Sequence, residues 1–317
     1  MTFSDQTPFR IFATDSAQEL GKRVANALGQ PLGQYFSETF SDGEKFVHFG
    51  ESVRGHNVFL IGQINMPYEN IFELFLATDA ARRASANKVI AILPYLPHSR
   101  QERKGNVRTA IASRLMADLM QQSGIDRVIT LDLHSGSIEG FFKIPVDHLM
   151  MSQIYIQQLQ RSRPENLCLC SPDFGGLKRI KLYKEALQSD MAVIHKERLK
   201  PNQVSHMEII GDVAGKNVVI IDDMIDTAGT LCTAADLIIN QGASSVQAYA
   251  THAILSNKAK ERIEASSLSK VWVSDSISYA KSEGKIQVVS SAKLFAAAIE
   301  NLLTNKSFQR IGERDLV

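Results

Sequence analysis

Asn217-Val218-Val219-Ile220-Ile221-Asp222-Asp223-Met224-Ile225-Asp226-Thr227-Ala228-Gly229-Thr230 decides how this chain is read. Four branched apolar residues run into two acids and then into small, hydroxyl-bearing residues. Leu231 to Ile239 follows with apolar side chains at helical spacing. The order is buried strand, loop, helix. In an open α/β sheet, ligands bind at the carboxyl ends of the strands, so this loop sits where a ligand belongs.

The residue types state which ligand. A helix beginning near Thr230 presents unpaired N–H groups and the positive end of its dipole, which favours phosphate. Thr227 and Thr230 add hydroxyl donors, and Ala228 and Gly229 let the backbone approach an anion. Asp222 and Asp223 are acceptors at neutral pH. They suit sugar hydroxyls, or a magnesium ion shared with them. Phosphate at one end and a diol at the other describe ribose 5-phosphate. An acidic strand end before an ordinary capped helix would use some of these residues; the whole run favours the ligand.

At 317 residues the chain is long enough for two domains, expected at 1–150 and 151–317. Its 44% hydrophobic content can fill a core in each. Lys plus Arg number 35 against 34 acids, a net +1 that argues for neither nucleic acid nor an anionic membrane as partner. No apolar run is long enough to span a bilayer, and Met1 to Asp5 lacks the pattern of a secretory signal. Cys168, Cys170 and Cys232 lack metal-site spacing and read as small core residues, in keeping with a cytoplasmic location.

Phe9–Thr14, Lys45–Phe49, Asn57–Ile61, Lys88–Leu93 and Arg127–Leu131 read as strands. Helices are expected from Ser16, as N-cap, through Leu28, at Ile71–Arg83 and at Thr109–Met120. The rhythm restarts after residue 150, with strands at Leu167–Cys170, Ala192–Ile194, Val218–Ile221, Val246–Ala250 and Val271–Val273, and a final helix at Ala292–Leu303. Strands alternating with helices imply parallel sheets covered on both faces.

Further polar clusters stand at strand ends. Arg100-Gln101-Glu102-Arg103-Lys104 could neutralise a polyphosphate, although a basic turn is often only a solvated surface. Asp132 and His134 close one strand; Asp173-Phe174-Gly175-Gly176 close another, with a Gly pair able to wrap an anion. Lys196 to Asn202 is strongly polar and reads as a substrate-closing loop or as a solvated linker. Phe40-Ser41-Asp42-Gly43-Glu44 is a turn. No Gly-x-x-x-x-Gly-Lys-Ser/Thr loop occurs.

Val219 to Thr230 resembles the ribose-phosphate signature of the type I phosphoribosyltransferase fold. With the other motifs in order over about residues 8 to 305, the chain is similar to the ribose-phosphate pyrophosphokinases, the synthases of phosphoribosyl pyrophosphate (PRPP). The resemblance implies an α/β fold of two similar type I phosphoribosyltransferase-like domains, each a mainly parallel sheet flanked by helices. It implies ATP and ribose 5-phosphate as substrates, Mg2+ as cofactor, and a homo-oligomer, since the adenine loop is typically lent by a neighbouring subunit and the family is commonly hexameric.

By the same resemblance Phe40, Asp42, Glu44, Arg100, Gln101 and Glu102 fall in the ATP-binding segments. His134 and Asp173 match magnesium-associated positions. Asp173, Phe174, Gly175 and Gly176 match the pyrophosphate loop. Lys196 and Arg198 match the catalytic basic pair, and Asp222, Asp223, Asp226, Thr227, Ala228, Gly229 and Thr230 the ribose 5-phosphate site. The family usually has Asp where Glu102 stands, His at Phe174 and Arg at Glu197. A phosphoribosyltransferase would use the same central loop but needs only one such domain. A non-catalytic regulatory relative would explain Phe174 and Glu197, but not the retained Lys196 and Arg198.

Overall fold

A computed structural model describes residues 8–162, 164–197 and 206–308, without the side chains of 196, 197 and 206. The chain divides into two compact units.

The first unit gathers the chain up to residue 150 with 276–278 and the segment from 291. Its strands are β1 (Phe9–Ala13), β2 (Tyr35–Thr39), β3 (Lys45–Phe49), β4 (Asn57–Ile61), β5 (Lys88–Leu93), β6 (Arg127–Leu131) and β7 (Val146–Leu149). β1, β4, β5, β6 and β7 form a five-stranded sheet in that order, with every pairing parallel. All five residues of β4 are buried, as expected of a strand covered on both faces. β2 and β3 form a separate antiparallel hairpin around the Phe40–Glu44 turn.

The helices are α1 (Gln18–Ala27), α2 (Glu69–Arg83) and α3 (Ala112–Gln122). Ser16 is not the N-cap of α1: it lies in a short 3-10 turn, Asp15–Ala17, and its hydroxyl donates to the Gln63 carbonyl at 2.9 Å. The third helix starts at Ala112 rather than Thr109; Thr109 instead bonds the Asn106 carbonyl through its hydroxyl. Gly43, at φ 95°, makes the tight turn between β2 and β3.

The second unit holds 151–275 and 279–290. Its elements are α4 (Ser152–Ser162), β8 (Leu167–Ser171), α5 (Leu177–Leu187), β9 (Asp190–Glu197), β10 (His206–Ile210), β11 (Asn217–Ile225), α6 (Gly229–Asn240), β12 (Ser245–Ala253), α7 (Ala259–Ala265), β13 (Lys270–Ser274) and β14 (Ile286–Val289). The seven-stranded sheet runs β10-β9-β8-β11-β12-β13-β14, antiparallel only between β9 and β10. Val218, Ile220, Val246 and Ala248 pack with Ala234, Ala235 and Ile238 of α6 in one core. α5 packs with α4 and with β8 and β9.

The last helix, α8 (Ala292–Leu303), contacts α1 and belongs to the first unit. All three cysteines are free and buried. Burial pushes Cys168 up to about 11 and Cys170 up to about 12, so both thiols are inert core groups. Among the described residues no helix is long and apolar enough to cross a membrane.

Candidate active site

From β8 the chain moves outward to β9 and β10. It then returns to the other side of β8 as β11 and continues through β12 to β13. The direction of winding therefore reverses between β8 and β11. That is the topological switch point, where an open α/β sheet leaves a crevice beyond its carboxyl edge. The Asp173–Gly176 loop leaves β8 on one side of it. The Asp226–Ala228 loop leaves β11 on the other. Lys196 lies at the carboxyl end of β9, the neighbour on the far side of β8.

β11 is longer than the apolar run alone indicates. It continues through Asp222 and Asp223 to Ile225, pairing with β12 as far as Ala253. Both acids thus stand on a rigid strand rather than in a loop after it. Asp223 is nearly buried, and Asp222 Oδ1 accepts the Asp223 N–H at 2.8 Å. Arg179, in the first turn of α5, reaches both carboxylates, at 3.6 Å from Asp222 and 3.5 Å from Asp223. Burial first, and then Asp223, push Asp222 above the ordinary carboxylate range, against the opposing pull of Arg179.

The β11 side of the crevice is Asp226, Thr227 and Ala228, leading into α6 at Gly229. Ala228 takes the left-handed conformation, φ 59°, and turns the chain into the helix. Thr227 and Thr230 are exposed; Asp226 and Gly229 are half-buried. The first N–H groups of α6 have no acceptor within the helix. Arg262 of α7 donates to the Thr227 carbonyl at 2.7 Å, and the Ser256 N–H donates to the Asp226 carbonyl at 3.0 Å, so the loop is braced from behind. Tyr279, whose hydroxyl donates to the Ile254 carbonyl at 2.8 Å, is raised by burial and by the Asp226 charge.

Across the crevice, Asp173 Oδ1 accepts the Gly176 N–H at 3.0 Å and the Ser171 hydroxyl donates to the Asp173 carbonyl at 2.6 Å. A Cβ at position 176 would meet Ser171 Oγ at 2.5 Å, so a larger residue there would have to turn that hydroxyl away from the Asp173 carbonyl. Phe174 is 52% exposed and sets its ring edge-on to His195 of β9, 5.3 Å between centroids. The side chain of Lys196 and all of Arg198 lie outside the described residues.

In the first unit, Asp42, Gly43 and Glu44 line a cleft of about 940 Å³ together with Tyr68, Phe72 and His98. Asp42 Oδ1 accepts the Glu44 N–H at 3.1 Å, and the Phe40 ring lies 5.9 Å from that of Phe46. Gln101 joins this cleft indirectly: its N–H donates to the His98 carbonyl at 2.8 Å, and its side-chain nitrogen lies 3.4 Å from His98 Nδ1. Arg100 is exposed and does not line the cleft. Glu102 is paired with Arg103 at 3.4 Å.

His134 is exposed beyond β6. The turn before it is held by His148, whose Nε2 accepts the Leu133 N–H at 2.9 Å. The His148 proton therefore sits on Nδ1, 3.0 Å from Glu139. Among the described residues no group of three or more His, Cys, Asp or Glu forms a metal cage. Magnesium usually takes one or two protein ligands and fills its remaining positions with water and substrate phosphates, and the sparse donors here fit that habit.

Arg179, Arg262, Tyr279 and His98 are the site residues that the sequence analysis does not find. Arg179 had a signal, since it stands three residues past the Gly pair in the helix that the pair begins. Arg262, 35 residues from its partner, had none.

Similarity to known proteins agrees with this geometry. A model of the N-terminal domain of ribose phosphate pyrophosphokinase matches residues 9–124, and a phosphoribosyl synthetase-associated domain matches residues 198–314. The chain is 42% identical over 305 residues to a ribose-phosphate pyrophosphokinase of Porphyromonas gingivalis, covering 96% of this chain and 97% of that one. The chain belongs to the ribose-phosphate pyrophosphokinase family.

A second pyrophosphokinase, from Chlorobaculum tepidum, is 43% identical over 304 residues, 95% of this chain and 94% of that one. The crystal structure of phosphoribosylpyrophosphate synthetase from Mycobacterium smegmatis superposes with a TM-score of 0.87 at 32% identity, covering 94% of this chain and 99% of that one. As in that family, two mainly parallel sheets flanked by helices build the fold. The family's activity, ribose-phosphate diphosphokinase, is the activity of this chain.

Proposed function

We propose that the chain transfers the β,γ-pyrophosphoryl group of Mg-ATP to the 1-hydroxyl of ribose 5-phosphate. The hydroxyl oxygen bonds to the β-phosphorus. The bond from that phosphorus to the α,β-bridging oxygen breaks, AMP leaves, and the hydroxyl proton passes to solvent. The products are PRPP and AMP. The observation that carries the reading is the switch-point crevice, with two helix N-termini and an acid pair between them.

In this reading Thr227 to Thr230 and the first N–H groups of α6 hold the 5-phosphate, and Asp222 and Asp223 accept the ribose diol. Asp226 opens the phosphate loop directly after β11. Gly175 and Gly176, with Asp173 fixing their turn, receive the pyrophosphoryl group. Lys196 and Arg198 offset its charge, which such transfers need more than they need covalent help. Phe40, Asp42, Glu44, Arg100, Gln101 and Glu102 take the nucleotide, which makes the first unit the ATP side and the second the ribose 5-phosphate side. His134 in the first unit and Asp173 in the second are each magnesium-associated positions by the family resemblance, and Mg2+ would neutralise phosphate charge when bound.

Exposed Phe72 on α2 and Leu115 and Leu119 on α3 line the same cleft as the Phe40–Glu44 turn, and exposed apolar surface of that kind supports a homo-oligomer in which a neighbouring subunit completes the cleft. The free buried cysteines support a reducing, cytoplasmic setting. Phosphorus NMR of the protein with ribose 5-phosphate, magnesium and ATP tests the reaction. AMP and PRPP are expected in equal amounts; ADP in their place would contradict pyrophosphoryl transfer.

A further inference from the structure

Glu73 is a carboxylate with no exposed surface, in the middle of α2, and the reaction makes no use of it. A buried carboxylate is stable only where donors converge on it, and three do. Its Oε1 accepts the Asp15 N–H at 2.9 Å and the Tyr35 hydroxyl at 3.1 Å. Its Oε2 accepts the Lys45 ammonium at 3.2 Å. The donors come from the turn before α1, from β2 and from β3. Lys45 also reaches Ser37 Oγ at 3.2 Å and the Asp15 carboxylate at 3.5 Å. Burial and Glu73 raise Tyr35 far above the ordinary phenol range, so its hydroxyl stays protonated and donates.

Tyr35 and Lys45 sit on either arm of the β2–β3 hairpin. That hairpin is not part of the five-stranded sheet. Its backbone hydrogen bonds close only on itself, so its place on the unit is set by side chains. Some anchoring is apolar: Phe49 lies 4.6 Å from Phe12, centroid to centroid, at the base, and Val47 packs against the core midway along β3. Lys45 is the residue directly after Glu44, at the turn end, and its anchor is Glu73. Lys45 and Glu69, on the helix that carries Glu73, line the same cleft as Asp42 to Glu44.

We propose that Glu73 is a positioning residue for nucleotide binding: a buried carboxylate that clamps both arms of the β2–β3 hairpin to α2 and so fixes the Phe40–Glu44 turn. The inference rests on the reading of that turn as the adenine-contacting segment. It assigns Glu73 and Tyr35 no contact with substrate; Lys45 also lines the cleft, so hairpin exchange and not KM alone reads its anchoring role. The clamp acts on the turn of its own chain, whether that turn serves its own site or a neighbour's.

Three variants of the full-length protein test it. Glu73→Gln keeps the shape and removes the charge, Lys45→Met removes the turn-end anchor, and Tyr35→Phe removes one hydrogen bond. Steady-state kinetics are read for each substrate, with amide hydrogen exchange over 35–49. Glu73→Gln and Lys45→Met are expected to raise KM for ATP roughly five- to fiftyfold, as a displacement of about an ångström does. KM for ribose 5-phosphate should stay within about twofold, and exchange in the hairpin should quicken. Tyr35→Phe should show the same pattern, weaker, and it keeps the test open if Glu73→Gln fails to fold.

Unchanged hairpin exchange and unchanged KM for ATP in Lys45→Met and Tyr35→Phe would overturn the proposal. So would an equal rise in KM for both substrates, which marks general destabilisation. Phe40→Ala separates the underlying reading. If it leaves KM for ATP unchanged while Glu73→Gln still loosens the hairpin, the turn is not the adenine contact and the functional half of the proposal falls with it.

Discussion

Asp222 and Asp223 sit close together with one arginine between them and the α5 helix start. The diol-accepting role proposed for them needs the charged form, yet burial and mutual repulsion oppose it. The sign follows directly. Because Asp222 is pushed up to about 8, the pair gains its proton as pH falls through that value, and affinity for ribose 5-phosphate falls with it. KM for ribose 5-phosphate should therefore rise as pH drops through about 8. Arg179→Gln removes the one opposing cation and should move that rise to higher pH, with KM for ATP unaffected; a pH series on both enzymes reads this. For folding, the raised group lends its stability at low pH and loses it as pH climbs through its folded value. Asp222→Asn should accordingly raise Tm at pH 8 while weakening ribose 5-phosphate binding.

Ala228 is one of several non-glycine residues at positive φ. Its φ of 59° costs about 1–2 kcal/mol for a residue with a Cβ. Ala228→Gly removes that strain but adds about 0.4–1 kcal/mol of unfolded-state entropy, so stability should change little. Ala228→Val, branched and nearly buried, should lower stability by about 1–3 kcal/mol, as overpacking does. Urea unfolding of the three proteins measures the difference.

At the scale of elements, the ribose-phosphate loop depends on a neighbour far along the chain. Arg262 of α7 holds the Thr227 carbonyl, and a hydrogen bond from a charged donor is worth about 1.5–3 kcal/mol. Arg262→Ala should raise KM for ribose 5-phosphate about tenfold or more on that figure, leaving KM for ATP in place. Such long-range braces are what the sequence concealed. The buried strands were legible, because β4, β5, β8 and β11 carry continuous apolar runs that only a doubly covered sheet explains. The half-exposed strands β2, β7, β10 and β14 were not legible. Tyr35-Phe36-Ser37-Glu38-Thr39 alternates too weakly to announce a strand; its Tyr35 hydroxyl bonds Glu73, while the Phe12 contact is made by Phe49 of its partner strand β3. The extension of β11 through two acids was hidden for the same reason: β12, not local propensity, keeps it extended.

At the scale of the molecule, the order of strands does more for function than either sheet alone. The first sheet steps steadily from β1 through β4 to β7. The second reverses between β8 and β11 and so opens a crevice under two helix N-termini. A signature readable in 14 residues became a site only once that order placed the Asp173–Gly176 loop beside it. The chain's last helix serves the first unit: Phe295 is fully buried there, and α8 packs on α1. Phe295→Ala should cost about 3–5 kcal/mol. Its unfolding should begin in peptides of β1 and α1 by hydrogen exchange, although the substitution lies near the C-terminus.

The central claim is that the crevice between β8 and β11 holds ribose 5-phosphate. Hydrogen exchange with ribose 5-phosphate alone, no nucleotide present, tests it most directly. Protection of the amides from Asp226 through Leu231, with little change in the Phe40–Glu44 turn, is the predicted result. Saturating ribose 5-phosphate that leaves those amides unprotected, in a preparation that still makes PRPP, would contradict it.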